Sequence, residues 1–236
     1  MKTFVLFDID GTLLYSNKVD SRSFATSYER IFGRVFPTID WSRFPSVTDH
    51  VIFRTAFHEH FRRFPTDEER QVFEDDYVAR LQRQRKRAPE KFREVPGAAA
   101  LWRRLAGEDD YLTGIATGGW RSPAAIKLAH VGIPEDPPYA GYANNQFRRE
   151  GILQAAIDKA KADHDVQEVV YVGDAIWDVA TTRAMNIPLI GVRREGDHQV
   201  LHQAGADTVI TDFTNQDTFM GLLRKKTAEF RDSDRG

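Results

Sequence analysis

The 236-residue sequence contains no cysteine. Disulfides, thiolate metal sites and cysteine nucleophiles are thereby excluded, and the absence fits a reducing compartment. Long apolar runs are missing too. The run from Phe4 to Phe7 is broken by Asp8, too short for the core of a signal peptide and far too short to span a bilayer. Nor does charge of one sign prevail: 33 lysines and arginines face 35 aspartates and glutamates, a formal net charge of −2. That balance calls for neither nucleic acid nor a membrane surface as partner. The expectation is a cytoplasmic protein, monomer or homodimer, that works on something small.

Hydrophobic residues make up 41% of the chain and charged residues 29%, enough apolar side chain for a real core. Short β-branched or aromatic runs that end in turn signals recur at residues 3–9, 112–117, 168–172, 188–192 and 208–211. Such runs read as buried parallel strands. Helical patterns over 98–105, 122–131, 151–162 and 178–185 alternate with them. The fold class is therefore α/β, with a parallel sheet. Residues 16–92 differ: they have few strand-like runs, and Pro37, Pro45 and Pro65 divide them into three or four helices. They read as a helical cap, inserted after the first strand of a core made of residues 1–15 and 93–236. Phe53, Phe57 and Phe61 read as the insertion's own core, and the basic run 83–87 as a solvated helix face. His58 and His60, two apart, do not share a helix face, and a metal site there is not expected. The polar tail from about Thr227 reads as frayed.

The acids carry the chemistry. Asp8 and Asp10 follow one buried strand in Phe7-Asp8-Ile9-Asp10-Gly11-Thr12-Leu13; Asp174 and Asp178 follow another in Gly173-Asp174-Ala175-Ile176-Trp177-Asp178. Ligands of open parallel sheets bind at the carboxyl ends of the strands. If the two strands are neighbours, four carboxylates converge, and a divalent cation relieves their repulsion. An all-oxygen set suits the hard ion Mg²⁺ (magnesium). A metal beside a cleft carboxylate suits phosphoryl transfer through an aspartyl-phosphate. Asp10, two residues from the nucleophile, fits the general acid/base of both steps. Thr117, Gly118 and Gly119 offer a hydroxyl and backbone N–H groups to phosphoryl oxygens, although Thr117 also reads as a plain helix cap. Gly11 and Thr12 are further candidates for phosphate binding.

Phe-Asp-Ile-Asp-Gly-Thr-Leu at 7–13 resembles the first signature of the haloacid dehalogenase superfamily. Ile115-Ala116-Thr117-Gly118-Gly119 resembles its second, and Tyr171-Val172-Gly173-Asp174 through Asp178 its fourth. The likeness covers essentially the whole chain, and the insertion is similar to the cap of the subgroup containing phosphoglycolate phosphatase and β-phosphoglucomutase. The resemblance implies a three-layer, Rossmann-like α/β/α core and a mobile cap. It implies that Asp8 attacks phosphorus and binds Mg²⁺, and that Asp10 is the acid/base and binds the ion through its backbone carbonyl. Asp174 would be a further ligand, with Asp178 supporting the metal site. The family's third signature carries a lysine that this chain lacks; the segment reads Gln146-Phe147-Arg148-Arg149-Glu150. Arg149 is favoured as its replacement over Arg148. Lys127 is a fallback whose mid-helix position suggests an exposed side chain.

An aspartate at position 10 argues against dehalogenation, which has no leaving alkoxide to protonate. The leading reading is a phosphatase of small phosphorylated metabolites, since a closing helical lid favours small esters. A phosphomutase and a non-catalytic phosphate- or partner-binding relative are the alternatives. Thr48, Asp49 and His50 fall where the family's specificity loop lies. Thr48 would donate to a substrate oxygen, or simply cap a helix.

Overall fold

The computed structural model describes residues 2–144 and 146–233. The chain begins with β1 (Lys2–Phe7) and a two-residue β2 (Leu14–Tyr15). Three helices follow, α1 (Asn17–Phe32), α2 (Asp49–Phe61) and α3 (Asp67–Arg87), and then β3 (Arg93–Glu94). The remainder alternates: α4 (Ala98–Ala106), β4 (Tyr111–Ala116), α5 (Arg121–His130), β5 (Ala140–Gly141), α6 (Arg149–Asp163), β6 (Val166–Gly173) and α7 (Ile176–Ala184). It closes with β7 (Leu189–Val192), α8 (His198–Ala204), β8 (Val209–Ile210) and α9 (Gln216–Ser233).

Six strands form a parallel sheet in the order β5-β4-β1-β6-β7-β8. β1 lies at its centre, and its Phe4, Val5, Leu6 and Phe7 are all buried, as a strand covered on both faces requires. From β1 the chain moves through α4 to β4 on one side; from β6 it moves through α7 to β7 on the other. Right-handed crossovers in opposite directions place their helices on opposite faces, which makes three layers. Phe7 packs against Trp102 of α4 and against Phe213, which itself packs on Phe219 of α9, so α4 and α9 share a face. The reversal between β1 and β6 opens a crevice at their carboxyl ends, where such sheets take ligands.

The helical insertion leaves through β2 and returns through β3, which pair antiparallel as a short neck. Its helices have the local signals they need. Thr48 caps α2 by accepting from the Val51 N–H at 3.2 Å, and Thr66 with Glu69 forms a capping box on α3. Gly33 ends α1 with φ +64°. Phe24, Tyr28, Phe53, Phe57, Phe73 and Tyr77 are fully buried between the helices, whereas Phe61 is only partly buried. Trp120, from the loop before α5, inserts into this aromatic cluster with ring centres 5.8–6.0 Å from Phe24, Phe53 and Phe73. Insertion and sheet therefore share one continuous apolar core. Trp120→Ala should destabilise the protein by about 3–5 kcal/mol. Denaturant unfolding checks this, and a loss under about 1 kcal/mol would mean the two parts are stabilised separately.

Two expectations are corrected. The tail from Thr227 is not frayed through Ser233: it continues α9, with Lys226 and Thr227 buried and the Lys226 ammonium paired to Asp207 at 2.5 Å. Lys127 is not a surface side chain; it is buried, and its partners are described below. No helix among the described residues is long and apolar enough to cross a membrane.

Candidate active site

Asp8 directly follows β1, and its N–H donates to the Val172 carbonyl of β6 at 2.9 Å. β1 and β6 run in register, Phe7 beside Val172, so Asp8 and Asp174 leave adjacent strand ends. Asp178 sits in the first turn of α7 and turns back toward them. Oxygens of Asp8, Asp174 and Asp178 lie within 4.8 Å of one another, and all three residues are buried. Two oxygens on opposite sides of an octahedral Mg²⁺ stand roughly 4 Å apart. Burial first, then Asp178, pushes Asp8 up to about 7; burial, Asp178 and Asp8 hold Asp174 well above the usual carboxylate range. The nearest cation to Asp174 is Arg193 at 3.7 Å. Gly11, with φ +89°, completes the cradle, because a methyl group there would overlap the Asp174 carboxylate. Oxygen-only ligands, crowded and short of countercharge, fit a hard dication.

Arg149 is the positive partner of this trio. It opens α6, is buried, and donates to Asp178 Oδ1 at 2.5 Å and to the Tyr171 hydroxyl at 3.2 Å. The same nitrogen lies 3.9 Å from Asp8 Oδ1, and the other terminal nitrogen donates to the Val47 carbonyl in the insertion at 3.3 Å. Burial alone would lower its pKa, but Asp178, Tyr171 and Asp8 raise it, so the guanidinium stays charged. Arg148, by contrast, is 79% exposed and pairs with Glu150. Asp178 also accepts from the Ala175 N–H at 3.0 Å, so both its oxygens are engaged.

Asp10 points elsewhere. Its Oδ1 accepts from the Ser16 hydroxyl and its Oδ2 from the Lys127 ammonium at 2.6 Å. The side chain therefore stands outside the carboxylate trio, contrary to the expectation of four converging carboxylates. Lys127 reaches up from α5 and also pairs with Asp20 of α1 at 2.7 Å, and Asp20 accepts from Tyr77 of α3 at 2.6 Å. Desolvation pulls the lysine pKa down, yet Asp10 and Asp20 together raise it and keep it protonated. The reasoning from sequence missed this Lys127–Asp20–Tyr77 chain. A signal existed: Lys127 lies three residues after Ala124 and four before Val131, both buried, and so falls on the apolar stripe of its helix.

A cavity of about 70 Å³ lies between core and insertion. Asp8, Asp10, Thr117, Gly118, Gly119, Lys127 and Arg149 wall it from below, and Asn17, Asp20, Trp41, Thr48 and Asp49 from above. Asp8 thus faces the cavity on one side and the carboxylate trio on the other. Thr117 Oγ1 accepts from the Gly119 N–H at 3.2 Å, which shapes the loop after β4. Asp49 accepts from the Trp120 N–H at 2.9 Å, and burial, then Asp20, push it up to about 8. Gly11 and Thr12 do not line the cavity: their N–H groups donate to Leu14 and Ile9 within the turn, and are not free for phosphate. His50 packs edge-on against Phe147 instead of reaching the cavity.

Residues 5–192 match the family described as haloacid dehalogenase-like hydrolase. Comparison with curated proteins finds no match. Among solved structures, a hydrolase from Pseudomonas syringae is 20% identical, with TM-score 0.62 over 90% of this chain and 94% of that one. A predicted phosphatase from Clostridium acetobutylicum is 19% identical, with TM-score 0.59 over 95% and 99%. The CbbY protein from Rhodobacter sphaeroides, solved in complex with phosphate, is 15% identical, with TM-score 0.60 over 91% and 96%. At these identities the likeness speaks for the fold.

Proposed function

The chain belongs to the haloacid dehalogenase-like hydrolase family, and from that footing we propose that it is a Mg²⁺-dependent phosphatase of small phosphate monoesters. The observation that carries the reading is the double exposure of Asp8, to a carboxylate trio that suits a cation and to a cavity between core and insertion. Asp8 and Asp174 would hold the ion, which supplies charge neutralisation of the phosphoryl oxygens when bound. Asp178, with both oxygens engaged, holds Arg149 beside Asp8.

Asp8 attacks phosphorus; the Asp8–phosphorus bond forms as the bond to the ester oxygen breaks. Asp10 gives its proton to that leaving oxygen. Asp10 then takes a proton from water, whose oxygen attacks phosphorus and releases inorganic phosphate and free Asp8. Lys127 and Ser16 position Asp10 for both transfers. Thr117 and Arg149 face the phosphoryl group, and Thr48, while capping α2, contributes to the roof over the leaving group. The cavity is small, about 70 Å³. Its small size supports a compact ester as substrate over a hexose phosphate, and so hydrolysis over mutase chemistry.

Release of phosphate from a chromogenic ester should require Mg²⁺, stop with EDTA and return when Mg²⁺ is restored. Turnover indifferent to EDTA would refute the metal reading. A hexose 1-phosphate converted to its 6-phosphate, without free phosphate, would favour the mutase. Asp10→Asn should lower kcat on an alkyl phosphate by about 10²–10⁴-fold. On an aryl phosphate, whose leaving group needs no proton, the formation step should lose far less. An equal loss on both esters in pre-steady-state phenol release would contradict the acid role.

A further inference from the structure

A second cavity, of about 780 Å³, lies at the neck that joins insertion and core. Six basic residues line it: Lys18 and Arg22 of α1, Arg80 of α3, Lys91 and Arg93 beside the returning strand, and Arg194 after β7. Glu90 is the sole acid on its wall. That imbalance stands out in a chain whose net charge is −2. Several arginines elsewhere are neutralised: Arg30, Arg63, Arg70, Arg104, Arg121 and Arg149 each have a carboxylate within 3.0 Å. Among the described residues, Lys18, Arg22, Lys91, Arg93 and Arg194 have no such partner within 4.0 Å. Two of them instead gather on one ring, Arg194 at 3.9 Å from the centre of Tyr15 and Arg93 at 6.0 Å. Like charges brought together in a concave wall repel one another, and a bound anion relieves that repulsion.

We propose that this basic cleft is a binding site for a small polyanion carrying two or more phosphate groups, distinct from the catalytic cavity. Its walls belong to both sides of the neck. Lys18, Arg22 and Arg80 come from the insertion, and Arg93 and Arg194 from the neck and the core. An anion that touches both sides binds best when they are together, and by linkage favours that arrangement. Ser16 and Asn17 lie in the wall of the cleft; Ser16 also holds Asp10, and Asn17 also lines the catalytic cavity. Occupation of the cleft therefore bears on the β2–β3 neck that joins insertion and core.

The test is calorimetric titration of the full chain with inorganic tripolyphosphate, in the presence of EDTA. Saturable binding at one site should weaken as salt is raised. It should fall by roughly tenfold or more in Arg22→Ala and again in Arg194→Ala, and be unchanged in Arg148→Ala. Circular dichroism confirms that each variant is folded. Binding that survives both cleft substitutions but is lost in Arg149→Ala would place the anion in the catalytic cavity and overturn the proposal, as would no binding at all. Hydrogen exchange at residues 14–17 and 93–94 should slow with the anion bound; unchanged exchange despite binding would overturn the bridging role. Neither readout uses turnover, so both stand whether or not the chain hydrolyses phosphate esters.

Discussion

Asp8→Asn should lower kcat on any phosphate ester by about 10⁴-fold or more, as losses of a covalent nucleophile run, without weakening the fold. The two halves of the prediction belong together. Asp8 is buried beside Asp178 and Asp174, and its pKa stands at about 7 instead of 3.8. Between those values the folded protein retains a proton that the unfolded chain has lost, so this group's contribution to stability falls as pH rises. A neutral asparagine removes that opposition. In metal-free buffer at pH 8, the melting temperature of Asp8→Asn should equal or exceed that of the parent chain. A variant that is inactive and much less stable would make Asp8 a structural residue; one that retains turnover would end its role as nucleophile.

Arg149→Ala should be the most damaging change at the site for stability, and it should also slow turnover. It leaves the Asp178 carboxylate, 1% exposed, without its 2.5 Å partner. Removing one member of a buried pair costs about 3–5 kcal/mol. It also removes a buried donor near the phosphoryl position, for which losses of about 10²–10³ in kcat are typical. Arg148→Ala, at a side chain 79% exposed, should change stability by less than about 0.5 kcal/mol. Denaturant curves and steady-state rates of the two variants decide the matter. If Arg148→Ala proved the more harmful, the geometric assignment of Arg149 would be wrong. Arg149→Lys should recover part of the stability but not the second hydrogen bond to Val47 or Tyr171, since a point charge does not reproduce the guanidinium fork.

The sheet was legible because its strands are buried on both faces and read as continuous apolar runs; residues 3–9 and 168–172 are β1 and β6 within two residues at either end. What escaped has a physical cause in each case. β5 is two residues long, and the β2–β3 neck is two residues on each side, too short to leave a periodic pattern. The acids at strand ends announced themselves, and β1 and β6 do pair, so Asp8, Asp174 and Asp178 meet. Asp10 departs from that group because its partners, Lys127 at 117 positions along the chain and Ser16, are drawn in by tertiary packing. Lys127 illustrates the limit most clearly. Local reasoning sends a mid-helix lysine to solvent, and only the closure of α1 and α3 over α5 buries it between Asp10 and Asp20. The amides of Gly11 and Thr12 were open to phosphate on paper, and the tight turn after Asp10 takes them for its own hydrogen bonds.

The most direct measurement is chemical: rapid quench of the Mg²⁺-loaded enzyme during turnover of an aryl phosphate, followed by proteolysis at acid pH and mass spectrometry. A single added phosphoryl group on the peptide that contains Asp8, absent from Asp8→Asn and discharged by hydroxylamine, is the predicted result. Turnover that proceeds with a burst of phenol but with the phosphoryl group on another side chain would contradict the account.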